Sequence, residues 1–140
     1  MFTLSDQPPS AADFKALYDS TGWGSPHRNP DDYARALAGS WRVVAAYGSD
    51  AAGKPRLVGF ARLISDGVLH AYVNEMIVHP EAQGQGLGSR LLKELLAICQ
   101  LAGITDIQLF SARGKRGFYE RHGFVARPDE GPGMQYLPGA

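Results

Sequence analysis

The stretch from Val73 to Leu92 reads VNEMIVHPEAQGQGLGSRLL, and it decides the fold. Its apolar, partly β-branched start predicts a buried strand, and Pro80 ends that strand because proline cannot donate to a sheet ladder. Three glycines then alternate with Gln85 and Leu87 before a helical pattern begins. Glycine lets backbone N–H groups approach a ligand, and a helix start adds unpaired N–H groups and a positive dipole end. The stretch therefore predicts an anion site, most simply for a phosphate.

Length and composition narrow the class of protein. A chain of 140 residues and 15.1 kDa is expected to form one domain, 1–140. Fourteen basic and fourteen acidic residues cancel, so we expect no nucleic-acid partner. The N-terminus does not resemble a signal peptide, and no apolar run is long enough to span a membrane. A single cysteine, Cys99, fits a reducing compartment, so we expect a cytoplasmic protein.

Two amphipathic helices are predicted near the N-terminus, after a short strand at Phe2–Leu4. Ser10 is a suitable N-cap for the first helix. Asn29 caps the second, with Pro30 at its first position. The polar loop between them leaves two interpretations open: the helices wall a substrate pocket, or they simply cover a sheet.

An antiparallel meander is predicted next. Its strands are rich in β-branched and aromatic residues, and Asp66-Gly67 is a strong hairpin signal. The three strands are Trp41–Tyr47, Arg56–Ser65 and Leu69–His79.

A strand, a helix and a further strand follow as a right-handed parallel crossover. The helix starts at Leu87 with apolar residues at helical spacing and ends at Gly103, and Asp106–Ser111 is the next strand. A short helix is predicted over Gly114–His122, followed by a short strand at Phe124–Ala126 and a last edge strand at Met134–Leu137. The fold class is therefore α+β, with a mixed, mostly antiparallel sheet flanked by helices.

The glycine loop has three possible phosphate ligands. An ATP-binding P-loop needs lysine after the last glycine, but Ser89 and Arg90 follow here. A dinucleotide fingerprint is GxGxxG directly after a strand, whereas this loop is GxGxG behind an antiparallel meander. Asp106 also precedes its strand, although the ribose-binding acid of that fingerprint ends one. The remaining ligand is an acyl-coenzyme A.

Two sequence blocks support that ligand. Gln83-Gly84-Gln85-Gly86-Leu87-Gly88 fits a Q/R-x-x-G-x-G/A signature, and Ile77–Glu81 (IVHPE) precedes it. Phe118–Phe124 (FYERHGF) fits an FYxxxGF block at the expected distance. Both resemble the GCN5-related N-acetyltransferase (GNAT) superfamily, from about Trp41 to Leu137. The Ser65-Asp66-Gly67 turn and Gly133-Met134 further resemble small bacterial and chloroplast serotonin N-acetyltransferase-like members.

The resemblance implies how acetyl-CoA is held. In this family the strand before the loop is bulged and splays from the next strand, so that the gap forms the acyl-CoA cleft. The strand backbone at Met76, Ile77 and Val78 would pair with pantetheine, and the Met76 N–H would face the carbonyl oxygen. The pyrophosphate would be bound by the amides of Gln83, Gly84, Gln85, Gly86, Leu87, Gly88 and Ser89. No metal is expected.

Tyr119 and Glu75 are the predicted catalytic residues. Tyr119 matches the family tyrosine that protonates the departing thiolate, and the alternative is an aromatic packed in the core. Glu75 is the predicted general base, because an amine with a pKa near about 10 must lose a proton before it attacks. The alternative is a solvated carboxylate or one paired to Arg62. Three histidines are alternative bases: His70, His79 and His122.

The resemblance implies an N-acetyltransferase in which a primary amine attacks directly, without a covalent acyl-enzyme. Cys99 falls on the core face of its helix, which favours packing over a nucleophilic role. Ala112 stands where the family often has asparagine, and Arg113–Arg116 after it supply either a contact to the 3′-phosphate or a solvated helix start.

The acceptor and the assembly stay open. The acceptor is a small amine or a protein amino group. For the assembly, the alternatives are a monomer and a homodimer. Aromatic residues at Trp23, Tyr33 and Trp41 would suit an arylalkylamine, although core packing explains them equally well. A non-catalytic acyl-CoA-binding module is the rival from another class.

Overall fold

A computed structural model of the protein describes residues 1–25 and 27–139. Pro26, in the predicted loop between the first two helices, and Ala140 lie outside the described residues. The chain divides into two compact units, Met1–Gln108 and Leu109–Ala140, and each is described by itself.

The first two helices begin where the sequence predicts. Helix α1 covers Ala11–Asp19, and Oγ of Ser10 accepts from the backbone N–H of Asp13 at 3.1 Å. Helix α2 covers Pro30–Ala38. The Asn29 and Asp32 side chains each accept from the other's backbone N–H, at 3.2 and 3.1 Å, so a full capping box starts α2.

Five strands form one sheet. They are β1 (Thr3–Ser5), β2 (Arg42–Ser49), β3 (Pro55–Ser65), β4 (His70–Val78) and β5 (Asp106–Gln108). Their order in the sheet is β1-β2-β3-β4-β5. The pairs β1–β2, β2–β3 and β3–β4 are antiparallel, whereas β4 and β5 pair in parallel. The predicted mixed, mostly antiparallel sheet is therefore confirmed.

Helices α1 and α2 pack on one side of this sheet. The Phe14 and Phe60 rings lie 4.6 Å apart, and each fully buried side chain of this kind contributes roughly 1.5–3 kcal/mol. The buried cluster between these helices and the strands contains Phe14, Leu17, Tyr33, Leu37, Val43, Ala45, Leu57, Phe60 and Ile77.

Helix α3 (Leu87–Leu101) packs against the strand backbone at Gly59. A Cβ at Gly59 would lie 3.1 Å from both Leu87 Cδ2 and Leu91 Cδ1, so the missing side chain lets α3 approach β3 closely. The helix buries a continuous stripe of Leu87, Leu91, Leu92, Leu95 and Cys99. It has 15 residues, and within the described chain no helix is long and apolar enough to cross a bilayer.

The second unit differs most from the sequence prediction. Helix α4 covers Arg116–Glu120, shorter than predicted, and β5 ends at Gln108 instead of Ser111. The predicted strands at Phe124–Ala126 and Met134–Leu137 are wrong, since neither segment is a strand. The Phe124 N–H donates to the Tyr119 carbonyl at 3.1 Å, closing the turn after α4. Apolar content alone cannot supply the neighbouring strand that a ladder requires.

Candidate active site

Strand β4 carries a bulge in its second half. Two residues, Glu75 and Met76, oppose the single residue Ala61 of β3. Glu75 has φ 44°, and among the described residues it is the only non-glycine with a positive φ. Such a conformation costs of order 1–3 kcal/mol and persists only where its surroundings hold it. Asn74 contributes to that support, because its Oδ1 accepts from the Glu75 N–H at 3.0 Å.

The second feature of the site is the edge of β4 on the side of β5. Parallel pairing with β5 ends at Tyr72↔Gln108, whereas β4 continues to Val78. Within the described sheet, β5 therefore offers no partner to the β4 segment from Val73 to Val78. A strand edge of this kind can hydrogen-bond an extended ligand as an added strand would.

The glycine loop connects β4 to α3. After a 3₁₀ turn at Pro80–Ala82, Gly84 and Gly86 both adopt φ 77°, and α3 follows at once. A Cβ at either glycine would meet no described atom within 4 Å, so backbone conformation and not protein crowding demands glycine. The loop faces open space in which a ligand can approach its backbone closely.

The start of α3 presents free donors to that space. The first helical bond runs from the Arg90 N–H to the Gly86 carbonyl at 3.2 Å. The amides of Leu87, Gly88 and Ser89 therefore lack intrahelical acceptors, and within the described residues no side chain caps the helix at Gly86. These N–H groups and the helix dipole fit a pyrophosphate.

Glu75 is a largely buried member of an ion pair. Its Oε2 contacts Nε of Arg62, and the two side chains are 14% and 12% exposed. Pairing with Arg62 was the predicted alternative to a free base, and the structure contains that pair. A carboxylate has a second oxygen, Oε1, that can still accept a proton from a ligand.

An aromatic group lies on α1, α2 and the loop that joins them. The Tyr18 ring lies 5.5 Å from Tyr33 and 6.4 Å from the half-exposed Trp23, both edge to face. Burial raises the pKa of Tyr18, and the negative charge of Glu75 raises it further, against an opposing effect of Arg28. The negative charge of Glu75 therefore acts electrostatically on the Tyr18 hydroxyl.

Trp41 packs elsewhere than this aromatic group. A Cβ at Gly67, in the β3–β4 turn, would lie 3.3 Å from the Trp41 indole nitrogen. The Arg42 guanidinium covers the indole ring at 4.7 Å from its centroid. Of the three aromatic residues proposed for an acceptor surface, Tyr33 is buried and Trp41 supports a turn, so Trp23 is the exposed one.

His79, the alternative base nearest the loop, has partners on both sides. Its Nε2 lies 2.9 Å from an Arg56 guanidinium nitrogen, and its Nδ1 lies 3.2 Å from the Glu81 N–H. A guanidinium only donates, and a neutral imidazole has one acceptor nitrogen, so the ring accepts either from Arg56 at Nε2 or from the Glu81 N–H at Nδ1. Arg56 also binds the Glu81 carboxylate at 2.6 Å and holds the pKa of Glu81 below its usual range. This cluster anchors the start of the loop.

The other two histidines are also engaged. Nδ1 of His70 lies 2.6 Å from the Asp106 carboxylate, at the end of β4 opposite the bulge. Nδ1 of His122 lies 2.8 Å from the Phe118 carbonyl, so it donates there. Within the first unit, the His70 pair lies at the start of β4 and not at its bulge.

Tyr119 lies in the second unit, on α4. It is 8% exposed, and its ring contacts those of Phe118 and Phe124 at centroid distances of 5.1 and 5.8 Å. Burial raises the pKa of Tyr119, so its phenol stays protonated at neutral pH. Both predicted roles, core aromatic and proton donor, require such a neutral phenol.

Cys99 is fully buried, and burial raises the pKa of its thiol. A thiolate is the reactive form, so this environment favours packing over nucleophilic attack. The described residues contain no cluster of His, Cys, Asp and Glu side chains suited to a metal ion.

Comparison with known proteins defines the class. Residues 42–126 match the acetyltransferase (GNAT) domain family, and the chain belongs to that family. A GNAT-family acetyltransferase from Streptococcus pneumoniae TIGR4 has the same fold, with a TM-score of 0.82, 29% identity and 100% of both chains covered. Acetyl-CoA is the donor typical of this family.

Two curated relatives carry more specific names. Serotonin N-acetyltransferase 2, chloroplastic, of Oryza sativa subsp. japonica is 37% identical over 116 residues, covering 81% of this chain and 56% of that protein. Histone acetyltransferase TAP1 of Glycine max is 35% identical over 132 residues, covering 90% of this chain and 56% of that protein. The chain thus spans little more than half the length of these relatives.

The expected cytoplasmic location is wrong. Relatives from Oryza sativa and Arabidopsis thaliana, 32–39% identical to this chain, are named chloroplastic proteins. A single buried cysteine and an ordinary composition are compatible with more than one reducing compartment, so they could not distinguish cytoplasm from plastid.

Proposed function

We propose that this protein transfers the acetyl group of acetyl-CoA to a primary amine. The observation that carries the proposal is the order of features along the second half of β4 and the loop after it. An open strand edge that includes Glu75, at φ 44°, leads to a helix start with unpaired backbone N–H groups. An extended thioester with a pyrophosphate at one end is complementary to that order of features.

The backbone holds the donor in this proposal. Met76, Ile77 and Val78 bind the pantetheine amides along the open edge of β4. The amides between Gln83 and Ser89 bind the pyrophosphate, helped by the positive end of the α3 dipole. These contacts use main-chain groups, so they require the bulge and the left-handed glycines more than particular side chains.

The chemistry then needs three proton movements. Glu75 accepts a proton from the ammonium group, and the neutral nitrogen attacks the thioester carbonyl, whose oxygen accepts a hydrogen bond from the Met76 N–H. The C–N bond forms, and the C–S bond breaks as Tyr119 gives its proton to the departing thiolate. The attacking nitrogen loses its second proton to solvent, which reprotonates Tyr119, and the product is the neutral amide.

We infer that the acceptor is a small arylalkylamine. The exposed Trp23 ring packs edge to face on Tyr18, whose pKa the charge of the proposed base Glu75 raises, and the two rings supply aromatic surface. One relative is named for serotonin, an amine of that type. Another is named for histone acetylation, so a protein amino group is the rival acceptor.

A screen with acetyl-CoA tests this function directly. Serotonin and tryptamine are compared with a propylamine of the same charge and with a lysine-containing histone peptide, and released thiol is measured. Faster turnover of the aromatic amines supports the proposal, whereas preference for the peptide favours the rival. Binding of acetyl-CoA without turnover of any amine would indicate a non-catalytic module.

The Tyr119→Phe variant tests the proton donor. Removing a general acid should lower kcat by about 10²–10⁴-fold while acetyl-CoA affinity is retained. Tyr136→Phe is the matched control, since Tyr136 lies in the same unit and is 84% exposed. A wild-type rate in Y119F would assign Tyr119 to packing alone.

A further inference from the structure

Arg62 joins two elements of the site that are far apart in sequence. Its Nε contacts the Glu75 carboxylate in the bulge of β4. Its Nη1 donates to the Ala36 carbonyl at 2.9 Å and lies 3.4 Å from Oγ of Ser40, at the end of α2. One guanidinium therefore connects the bulge to the helix that carries Tyr33.

Each contact places the Arg62 cation beside a group that favours positive charge. The Ala36 carbonyl belongs to the last turn of α2, where the negative dipole end favours a cation, and it accepts from the Ser40 hydroxyl at 3.1 Å as well as from Arg62. The Glu75 carboxylate is only 14% exposed and lies on a backbone with φ 44°. A half-buried charge on a strained backbone keeps its position only while its partner is present.

We propose that Arg62 is the positioning residue of the acceptor side. It acts through Glu75, fixing Oε2 so that Oε1 is oriented toward the amine, and it sets the bulge at a constant distance from α2. Lysine cannot replace it fully, because a single ammonium cannot reproduce two donors in a fixed planar fork. This inference rests on the proposed function, in which Glu75 is the base.

A double-mutant cycle of Arg62→Gln and Glu75→Gln tests whether the two residues act as one. We expect R62Q to lower kcat for the amine at least about tenfold while acetyl-CoA affinity by calorimetry changes little. The R62Q/E75Q protein should be no slower than E75Q. Losses that multiply, or a wild-type kcat in R62Q, would overturn the proposal. Arg42→Gln is the control arginine, on neighbouring β2, with its guanidinium over Trp41.

Folding is controlled by two further variants. If R62Q does not fold, the charge-neutral double variant compared with E75Q still decides, because it buries no unpaired carboxylate. Arg62→Lys keeps the charge but not the link to α2, so we expect an intermediate kcat. A wild-type kcat in R62K would overturn the role of the α2 contact.

Hydrogen exchange separates this proposal from the proposed function. In R62Q the amides of residues 74–78 and 36–40 should both exchange faster than in wild type, while R42Q leaves both unchanged. Failure of every amine acceptor would remove the proposed function without altering this readout. Unchanged exchange in either segment would overturn the coupling by Arg62 even in an active enzyme.

Discussion

The two halves of strand β4 use the same backbone for different purposes. At its start, Ala71 and Tyr72 pair with β3 on one side and β5 on the other, and His70 is bound to Asp106. Beyond Tyr72, β3 is the one neighbour among the described strands, and the pairing is bulged at Glu75. The first half is regular and satisfied, whereas the second half leaves groups available to a ligand.

An acid organises nearby backbone at each end of β4. Asp66 accepts from the amides of Val68, Leu69 and His70 at 2.7–3.2 Å and closes the turn into β4. Glu75 lies on the strained residue itself and is held by Arg62. In the proposed function, the bulged end of the strand carries the chemistry and the regular end supports the fold.

The largest expected effect separates the carboxylates at the two ends. Glu75→Gln should lower kcat by about 10²–10⁴-fold, because it removes the proposed proton acceptor with little change in shape. Asp106→Asn, which alters the ion pair with His70, should leave kcat near the wild-type value. Steady-state rates with the best amine from the screen measure both. Equal losses would mean that the two halves do not differ in function.

The next effect concerns cofactor affinity at the loop after β4. Gly86→Val should weaken acetyl-CoA binding roughly 10²-fold or more, since it disturbs several charge-assisted hydrogen bonds at once. Gly53→Val is a matched control, because Gly53 has φ 80° and equally open surroundings in the loop between β2 and β3. Calorimetry gives both affinities, and melting curves show whether the backbone strain is similar. Unchanged affinity in G86V would contradict the pyrophosphate site.

A smaller effect is expected on the stability of the fold, at the position where β3 pairs with the end of β4. Gly59 pairs with Val78, and a methyl group there would press on Leu87, Leu91 and Ala46 at 3.1–3.2 Å. Gly59→Ala should cost about 1–3 kcal/mol in the free energy of unfolding, measured by urea titration. Gly48→Ala, whose new methyl group would have neighbours at 3.5 Å or more, should cost much less. A neutral G59A would mean that α3 can move away freely.

The smallest effect is a pH dependence at the regular end. Backbone amides hold the pKa of Asp66 below its usual 3.8, so its ionised form stabilises the fold above that pH. This contribution is lost as pH falls through the lowered pKa. Asp66→Asn should therefore melt slightly below wild type at neutral pH, and the two melting curves should converge in acid. A constant difference across pH would assign the effect to shape and not to charge.

Much of the fold followed from local rules. The caps at Ser10 and Asn29 and the Asp66-Gly67 turn depend on neighbours only a few residues away, so sequence alone locates them. The strand, glycine loop and helix around Gly86 are likewise one continuous stretch. The predicted site residues of this stretch occur in the first unit in the expected order.

The missed features depend on distant partners. No sequence pattern predicts that Glu75 has a positive φ, because positive φ is rare outside glycine. Here the conformation is supported by the contacts of Glu75 with Asn74 and Arg62. Apolar segments near the C-terminus predicted strands that are absent from the described structure. Sequence patterns report what a segment can bury, but not which neighbour will be beside it.

The burial of Cys99 has a practical consequence. It is the only cysteine of the chain and is 0% exposed, so a thiol reagent added to the folded protein should find little to modify. Coenzyme A released by turnover can therefore be titrated with low background from the enzyme. The same sulfur can also report on local unfolding. If α3 separates from the sheet, Cys99 becomes accessible, and the rate of its alkylation measures how often that opening occurs.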